Sequence, residues 1–166
     1  YVGQEGQNIF VRPNQVIACS LEYSMLTDEM KRKILDVVKR ELLTPKGLRT
    51  LSPKNPNYKG LYGGSQPERD EAYHQGTVWP WLTGPYIEAN FRLYGTSFAS
   101  KAKELLSGFE EDMTLYGVCS VSEVYDGNPP YAPNGCISQA WSVGEILRGL
   151  ALIHKFDKGA SKEKKK

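Results

Sequence analysis

The sequence has few of the side chains that build metal or redox sites. Its three cysteines, Cys19, Cys119 and Cys136, are an odd number and show neither metal-ligand nor redox spacing. Its only histidines are His74 and His154, which disfavours a metal site built on imidazole. We therefore expect free, mostly buried thiols in a reducing compartment, and neither a metal ion nor a cofactor.

Several sequence signatures are also missing. No apolar run approaches the roughly 20 residues that a membrane-spanning helix needs, and no signal peptide is recognisable. Gly63 and Gly64 are not followed by the Lys-Ser/Thr pair of a phosphate-binding loop, and neither G-x-S-x-G nor H-E-x-x-H occurs. These absences disfavour nucleotide, serine-hydrolase and metalloprotease chemistry, and they predict a cytoplasmic protein without membrane contact.

The charge of the chain is concentrated at one end. Its 166 residues contain 21 Lys and Arg against 19 Asp and Glu, a formal charge of +2. Residues 158–166 contain five lysines and one glutamate, and such a run predicts a disordered, solvated tail. Residues 1–157 are then weakly acidic, which argues against nucleic acid or an anionic membrane as partner.

Five helical segments of two kinds alternate along the chain. Residues 27–43, with Thr27 as N-cap, and residues 97–115 have one apolar stripe, which is typical of outer helices with one face in water. Residues 13–25, 79–94 and 137–156 are apolar on nearly every side, which predicts inner helices buried on every side. In the second of these, Pro85 is expected to kink the helix or to delay its start.

The connections between the helices alternate in length. Links from an inner to an outer helix are short, whereas the links from an outer to an inner helix span roughly residues 44–78 and 116–136. If successive helices alternate in direction, both long loops emerge at the same end. Loops of this length in a compact domain are usually functional, so we expect the functional site at that end. No strand pattern competes strongly with the helices.

The first long loop ends in an aromatic stretch, residues 71–81, with the sequence EAYHQGTVWPW. Indole faces stack on the apolar faces of sugar rings, and histidine, glutamine and threonine side chains can bond hydroxyl groups. The alternative is that Trp79 and Trp81 are ordinary core residues, and composition alone does not choose between the two.

The second long loop carries two carboxylates, Glu123 and Asp126, in the turn-rich segment 122–136. A carboxylate held beside aromatic rings at the entry to a buried helix can act as a general base. A surface acid or a helix cap is the alternative interpretation of each.

An ordered set of motifs resembles the C-terminal part of the glycogen debranching enzyme family, its amylo-α-1,6-glucosidase domain. The set covers nearly the whole chain up to about residue 155. Its members are RPNQVIACSL (12–21), ELLTPKGLRTLSP (41–53), NPNYKGLY (55–62), YHQGTVWPWLTGPYIEA (73–89), SEVYDG (122–127) and GCISQAWSVGEILR (135–148).

The resemblance implies an all-α fold, an (α/α)6 barrel of six inner and six outer helices. Residues 1–157 would form only its C-terminal part, and a first residue other than methionine agrees with a chain that begins within a domain. The resemblance also implies inverting hydrolysis of α-1,6-linked glucose at a branch point, in which one carboxyl group protonates the leaving oxygen and another activates water.

The resemblance assigns roles to particular residues. Glu123 matches the general base of the family, whereas the general acid of the family is an aspartate upstream of the matched region, and neither Asp70 nor Glu71 fits that role. The residues that match the sugar-binding surroundings, and are expected to bind substrate, are His74, Gln75, Trp79, Trp81, Tyr125 and Asp126.

The implied partners are a branched α-glucan or limit dextrin and either the rest of a longer chain or a second copy of this one. Three helices that are apolar all round would expose a large patch if they stood alone. The alternative to a hydrolase segment is a non-catalytic sugar-binding or structural helical domain derived from the same family.

Overall fold

The computed structural model describes residues 2–3, 6–7 and 9–163, and within these ranges the chain is rich in helix. No helix in this part of the chain is long and apolar enough to cross a membrane. The helices are α1 Gln15–Ser20, α2 Asp28–Glu41, α3 Gln66–Ala72, α4 Thr83–Tyr94, α5 Ala99–Ser107, α6 Asp112–Leu115 and α7 Ala140–Glu163, with 3₁₀ turns at Pro80–Leu82 and Gly95–Phe98. The strands are β1 Val2–Gly3, β2 Gly6–Gln7, β3 Leu43–Thr44, β4 Gly47–Arg49, β5 Val78–Trp79, β6 Val124–Tyr125 and β7 Pro133–Asn134.

Helix α2 confirms the predicted outer helix. Its N-cap is Thr27, whose hydroxyl accepts a hydrogen bond from the backbone N–H of Met30 at 3.3 Å. Acidic residues occupy the first turn and Lys39 and Arg40 the last, as the helix dipole favours. The other predicted outer helix is broken instead, because residues 97–115 divide into a 3₁₀ turn, α5 and α6.

Helix α4 is the centre of the described fold. Pro80 opens a 3₁₀ turn and α4 begins at Thr83, so that Pro85 lies in its first turn, where a missing N–H costs nothing. The predicted delay of this helix by Pro85 is therefore confirmed. Helices α1, α2 and α7 contact α4, and the rings of Phe91 and Phe156 stack at 4.5 Å between α4 and α7.

The other two predicted inner helices are not buried on every side. Helix α1 is only six residues long, and Ile17 is 38% exposed. On α7, Leu147 and Leu150 are more than half exposed. The expectation of burial on every side is thus wrong for these two helices as this chain folds. Helix α7 also continues to Glu163 instead of ending before the lysine-rich segment, and the remaining residues of that segment, 164–166, lie outside the described range.

Helix α3 lies inside the first long loop, where no helix was predicted. Its N-cap is Ser65, and the Glu68 carboxylate accepts a hydrogen bond from the Ser65 backbone N–H at 2.6 Å. The sequence Ser-Gln-Pro-Glu is the S-x-x-E signature of a capping box with proline in the first turn, so the signal was present in the sequence.

A small antiparallel sheet, also not predicted, joins the two long loops. Within the described residues its order is β3-β4-β5-β6-β7, with Leu48 opposite Trp79, Val78 opposite Tyr125 and Val124 opposite Asn134. Strands of two or three residues leave no periodic pattern, so sequence reasoning does not detect them. The helix-rich fold is as expected, but it includes this sheet.

The cysteines depart from expectation in their burial. All three are free, but only Cys19 is buried, whereas Cys119 and Cys136 are exposed. The prediction of mostly buried thiols is therefore wrong for two of the three.

Candidate functional site

The sheet brings the ends of the two long loops together. Strand β5 carries the end of the aromatic stretch, and it pairs with β6 directly after Glu123. Residues that lie about fifty positions apart in sequence consequently touch, and the first of these contacts joins Tyr73 to Glu123.

The carboxylate of Glu123 is held in one orientation. The Tyr73 hydroxyl donates a hydrogen bond to Oε1, and the backbone N–H of Cys136 donates one to Oε2 at 2.9 Å. Gly135 has φ of +70°, and a Cβ at this position would lie 2.7 Å from Oε2 of Glu123. Glycine is thus required both by the backbone conformation and by the close approach of the carboxylate.

Tyr73 connects Glu123 to the aromatic residues. Its ring meets those of Tyr62, His74 and Trp79 at centroid distances of 5.7, 5.0 and 4.7 Å. Burial raises the pKa of Tyr73 above its ordinary value, and the hydrogen bond to Glu123 and the charge of that carboxylate raise it further. The hydroxyl therefore remains a donor at neutral pH. Tyr73 was not predicted as a site residue, although it is the first residue of the motif over 73–89.

The rings of His74 and Trp79 are stacked, 5.5 Å apart and within 7° of parallel. Desolvation lowers the pKa of His74, and the positive charge of Arg12 lowers it further, which favours a neutral imidazole at pH 7. Arg12 also orders the loop, because it donates to the His74 carbonyl at 2.6 Å and to Oε1 of Gln75 at 2.9 Å. The amide oxygen of Gln75 is consequently already engaged within the protein.

A cleft of about 480 Å³ opens beside this stack. The sequence has three tryptophans, and all of them line it. Trp79 is only 5% exposed and donates from Nε1 to the Tyr73 carbonyl at 3.0 Å, whereas Trp81 is partly buried. Trp79 therefore belongs both to the core and to the wall of the cleft, and sugar binding by Trp79 and Trp81 stays a prediction. Asn14, His74 and Glu145 also line this cleft.

His74 also lines a second, more polar cavity. The second cavity, of about 460 Å³, is lined by Asp70, Glu71, His74 and Gln75 among others. Glu123 is in the lining of neither cavity, and it is connected to the tryptophan cleft through Tyr73 and Trp79.

Tyr125 and Asp126 lie away from both cavities. The ring of Tyr125 is fully buried and meets Phe109 edge-on at 6.3 Å. The Asp126 carboxylate accepts hydrogen bonds from the Tyr62 backbone N–H at 2.8 Å and from Nδ2 of Asn134 at 3.1 Å. This placement orders the loop next to Glu123, and neither side chain is among the lining residues of the two cavities, so substrate binding by Tyr125 and Asp126 stays a prediction.

Comparison with known proteins identifies relatives of the chain. The family described as amylo-alpha-1,6-glucosidase matches residues 1–148. The glycogen debranching enzyme of Saccharomyces cerevisiae is 31% identical over 93 residues, which are 52% of this chain and 6% of that protein. The chain thus spans only a small part of the length of this relative. The match over residues 1–148 confirms the resemblance that the sequence motifs indicated, and the chain belongs to the amylo-alpha-1,6-glucosidase family.

Proposed function

We propose that this chain is a segment of a glycoside hydrolase that hydrolyses α-1,6-linked glucose at glycogen-type branch points with inversion. The observation that carries the proposal is the fixed carboxylate of Glu123, hydrogen-bonded to Tyr73 beside an aromatic cleft. Membership of the amylo-alpha-1,6-glucosidase family supports the same reaction class.

In this mechanism Glu123 is the general base. A water molecule attacks the anomeric carbon while Glu123 takes one of its protons, and the glycosidic carbon–oxygen bond breaks on the opposite face of the ring. A second carboxyl group, hydrogen-bonded to the departing oxygen, donates a proton to it, and this group lies roughly 6.5–9.5 Å from the base so that the water fits between base and sugar. Of the carboxylates in the two cavities, Glu145 accepts hydrogen bonds of 2.7–3.1 Å from Arg148 on both of its oxygens, and Asp70 and Glu71 do not match the family motif for the acid. We propose that the acid belongs to a part of a longer chain, as the family resemblance implies.

The glucose unit would occupy the tryptophan cleft, where His74, Trp79 and Trp81 supply stacking surface and hydrogen-bonding groups. Gln75, which lines the second cavity, would bind the substrate from that side. Tyr125 and Asp126 would support the loop that holds Glu123.

Residues 1–157 would form the C-terminal part of an (α/α)6 barrel. The exposed apolar side chains of α7, Leu147 and Leu150, support this proposal, because a contiguous apolar face is normally covered. Further helices of the same barrel, or a second copy of the chain, would cover it.

A substrate that needs no general acid tests the role of Glu123 in this chain. The fluoride of α-glucosyl fluoride leaves without protonation, so a segment with a base but no acid can hydrolyse it. We expect hydrolysis above the buffer rate with β-glucose as the first product in proton NMR, and a loss of about 10²–10⁴-fold in Glu123→Gln. Glu29→Gln, on the exposed side of α2, is the matched control and should match the unsubstituted chain.

Two results would overturn the assignment. Equal rates from the chain and from Glu123→Gln would exclude Glu123 as the base, and α-glucose as the first product would exclude inversion. A second candidate function, a sugar-binding domain without catalysis, is favoured by the absence of Glu123 from the lining of the tryptophan cleft. It predicts binding of α-glucan with no hydrolysis of the fluoride.

A further inference from the structure

Helix α7 forms one wall of the tryptophan cleft, and its residues divide into separate faces. Trp141 and Glu145 are four residues apart, and both line the cleft, as side chains at this spacing share a helix face. Ile146 and Ile153 face the core and are almost fully buried. Leu150 lies about half a turn around the helix from Trp141, on the exposed apolar face. The exposure of Trp141 and that of Leu150 therefore belong to different surfaces.

Trp141 offers an open indole face to the cleft. It is 51% exposed, and its ring lies 6.0 Å from that of Trp79 at an angle of 50°. A large aromatic side chain left half open in a concave site, beside a second indole, is typical of a ligand-binding surface and not of a core.

Glu145 supplies an oriented carboxylate on the same wall. Nε of Arg148 donates to both of its oxygens at 3.1 and 2.9 Å, and an Nη2–H of Arg148 donates to Oε2 at 2.7 Å. A Cβ at Gly84 would collide with Oε2 of Glu145, so glycine at this position of α4 makes room for the carboxylate. An ionised carboxylate has about four acceptor positions, and those left by Arg148 can accept hydroxyl hydrogen bonds.

We propose that Trp141 and Glu145 form a glucosyl subsite on the α7 wall of the cleft. The indole of Trp141 stacks on the apolar face of one sugar ring, and the carboxylate of Glu145 accepts hydrogen bonds from its hydroxyl groups. Arg148 is a positioning residue for Glu145. The proposal rests on the proposed function insofar as the cleft binds α-glucan, but it does not depend on catalysis by Glu123.

Affinity electrophoresis of the whole chain through native gels that contain glycogen tests this subsite, because retardation by the glucan gives a dissociation constant. Leu150→Ala is the matched control, since Leu150 has the same 51% exposure on the same helix. We expect Trp141→Ala to weaken binding by at least about tenfold. Leu150→Ala should remain within about twofold of the unsubstituted chain, as expected of a residue outside the contact.

Two conservative variants separate the proposed contacts from a general loss of structure. Trp141→Phe keeps a stacking ring and should bind more tightly than Trp141→Ala. Glu145→Gln leaves Arg148 paired with Glu88 and should weaken binding by about threefold or more through loss of the charged acceptor. Equal affinity of Trp141→Ala and the unsubstituted chain would overturn the subsite alone, as would equal weakening by Trp141→Ala and Leu150→Ala, or by Trp141→Phe and Trp141→Ala.

The electrophoresis and the fluoride assay distinguish this proposal from the proposed function. Binding that depends on Trp141, together with no hydrolysis of the fluoride, supports the subsite and refutes the catalytic assignment. An unsubstituted chain that glycogen does not retard would overturn the subsite and the sugar-binding part of the proposed function together.

Discussion

The carboxylate of Glu41, the last residue of α2, is expected to stabilise the fold in a pH-dependent way. Its side chain is only 8% exposed. Oε2 accepts a hydrogen bond from the Ser52 hydroxyl at 2.8 Å, and Oε1 accepts from Arg40 at 3.0 Å and from Lys54 at 3.1 Å. The Ser52 hydrogen bond is the largest cause of a pKa lowered to about 2, and the bonds from Arg40 and Lys54 lower it further against the effect of burial.

The lowered pKa of Glu41 sets the size and the pH range of the effect. A carboxyl group whose pKa is lower in the folded state stabilises the fold fully above its unfolded pKa of about 4.5, and this contribution is lost as the pH falls through about 2. The shift corresponds to at most about 3 kcal/mol. Lys54 and Arg40 are largely exposed and screened by water, so we expect a free-energy contribution of about 2 kcal/mol.

Urea unfolding followed by circular dichroism, between pH 2.5 and pH 7, measures this contribution. Glu41→Gln should lower the free energy of unfolding by about 2 kcal/mol at pH 7, and the difference from the unsubstituted chain should shrink as the pH falls below about 4.5. Glu29→Gln is the control, because Glu29 is 75% exposed in its pair with Lys33 and should change stability by no more than about 0.5 kcal/mol. Parallel pH profiles for Glu41→Gln and the unsubstituted chain would refute the reasoning.

Two further predictions concern the surroundings of Glu123. In a double-mutant cycle, Tyr73→Phe and Glu123→Ala should show a coupling of about 1 kcal/mol or more in urea unfolding, since Tyr73→Phe removes the donor and Glu123→Ala the acceptor of the hydrogen bond that joins the two side chains; additive effects would contradict that bond. Gly135→Ala should destabilise the chain by at least about 1–2 kcal/mol because of its positive φ and the contact with Glu123. Its control is Gly144→Ala on α7, where an added Cβ would meet nothing within 4 Å. This substitution should raise the free energy of unfolding by up to about 1 kcal/mol in the same assay. A change of the same sign in the free energy of unfolding for both variants would contradict the local geometry.

The sequence predicts most closely those parts of the fold that have a strong local signal. Helix α2 has a cap, a charge gradient and an amphipathic stripe, and its predicted N-cap, Thr27, is confirmed. The start of α4 follows from the backbone chemistry of Pro85. By contrast, the predicted helix over 97–115 is broken, because one long stripe of apolar residues does not reveal the turns between shorter helices.

The candidate site is harder to predict because its contacts are made by pairing between the two loops. Strands β5 and β6 meet through Val78 and Tyr125, and this pairing decides that Tyr73 reaches Glu123 while Tyr125 enters the core. Val124 and Tyr125 are both fully buried, whereas Glu123 beside them in the same motif is hydrogen-bonded to Tyr73, so two residues that are adjacent in one motif can have different roles. The presence of two residues in one motif therefore does not show whether both have the same role.

Helix α7 shows why hydrophobic pattern alone leaves the role of a residue open. Trp141 and Leu150 are equally exposed, and both belong to a segment that is apolar on nearly every side. Their difference lies in what surrounds them, since Trp141 lines a cleft together with two other indoles and the carboxylate of Glu145, whereas Leu150 lies on the opposite side of the helix. The sequence pattern does not distinguish an apolar side chain that further helices of a barrel would cover from one that a sugar would contact. Only the three-dimensional position of the neighbours separates them, and the pair Trp141→Ala and Leu150→Ala therefore measures a distinction that the sequence does not contain.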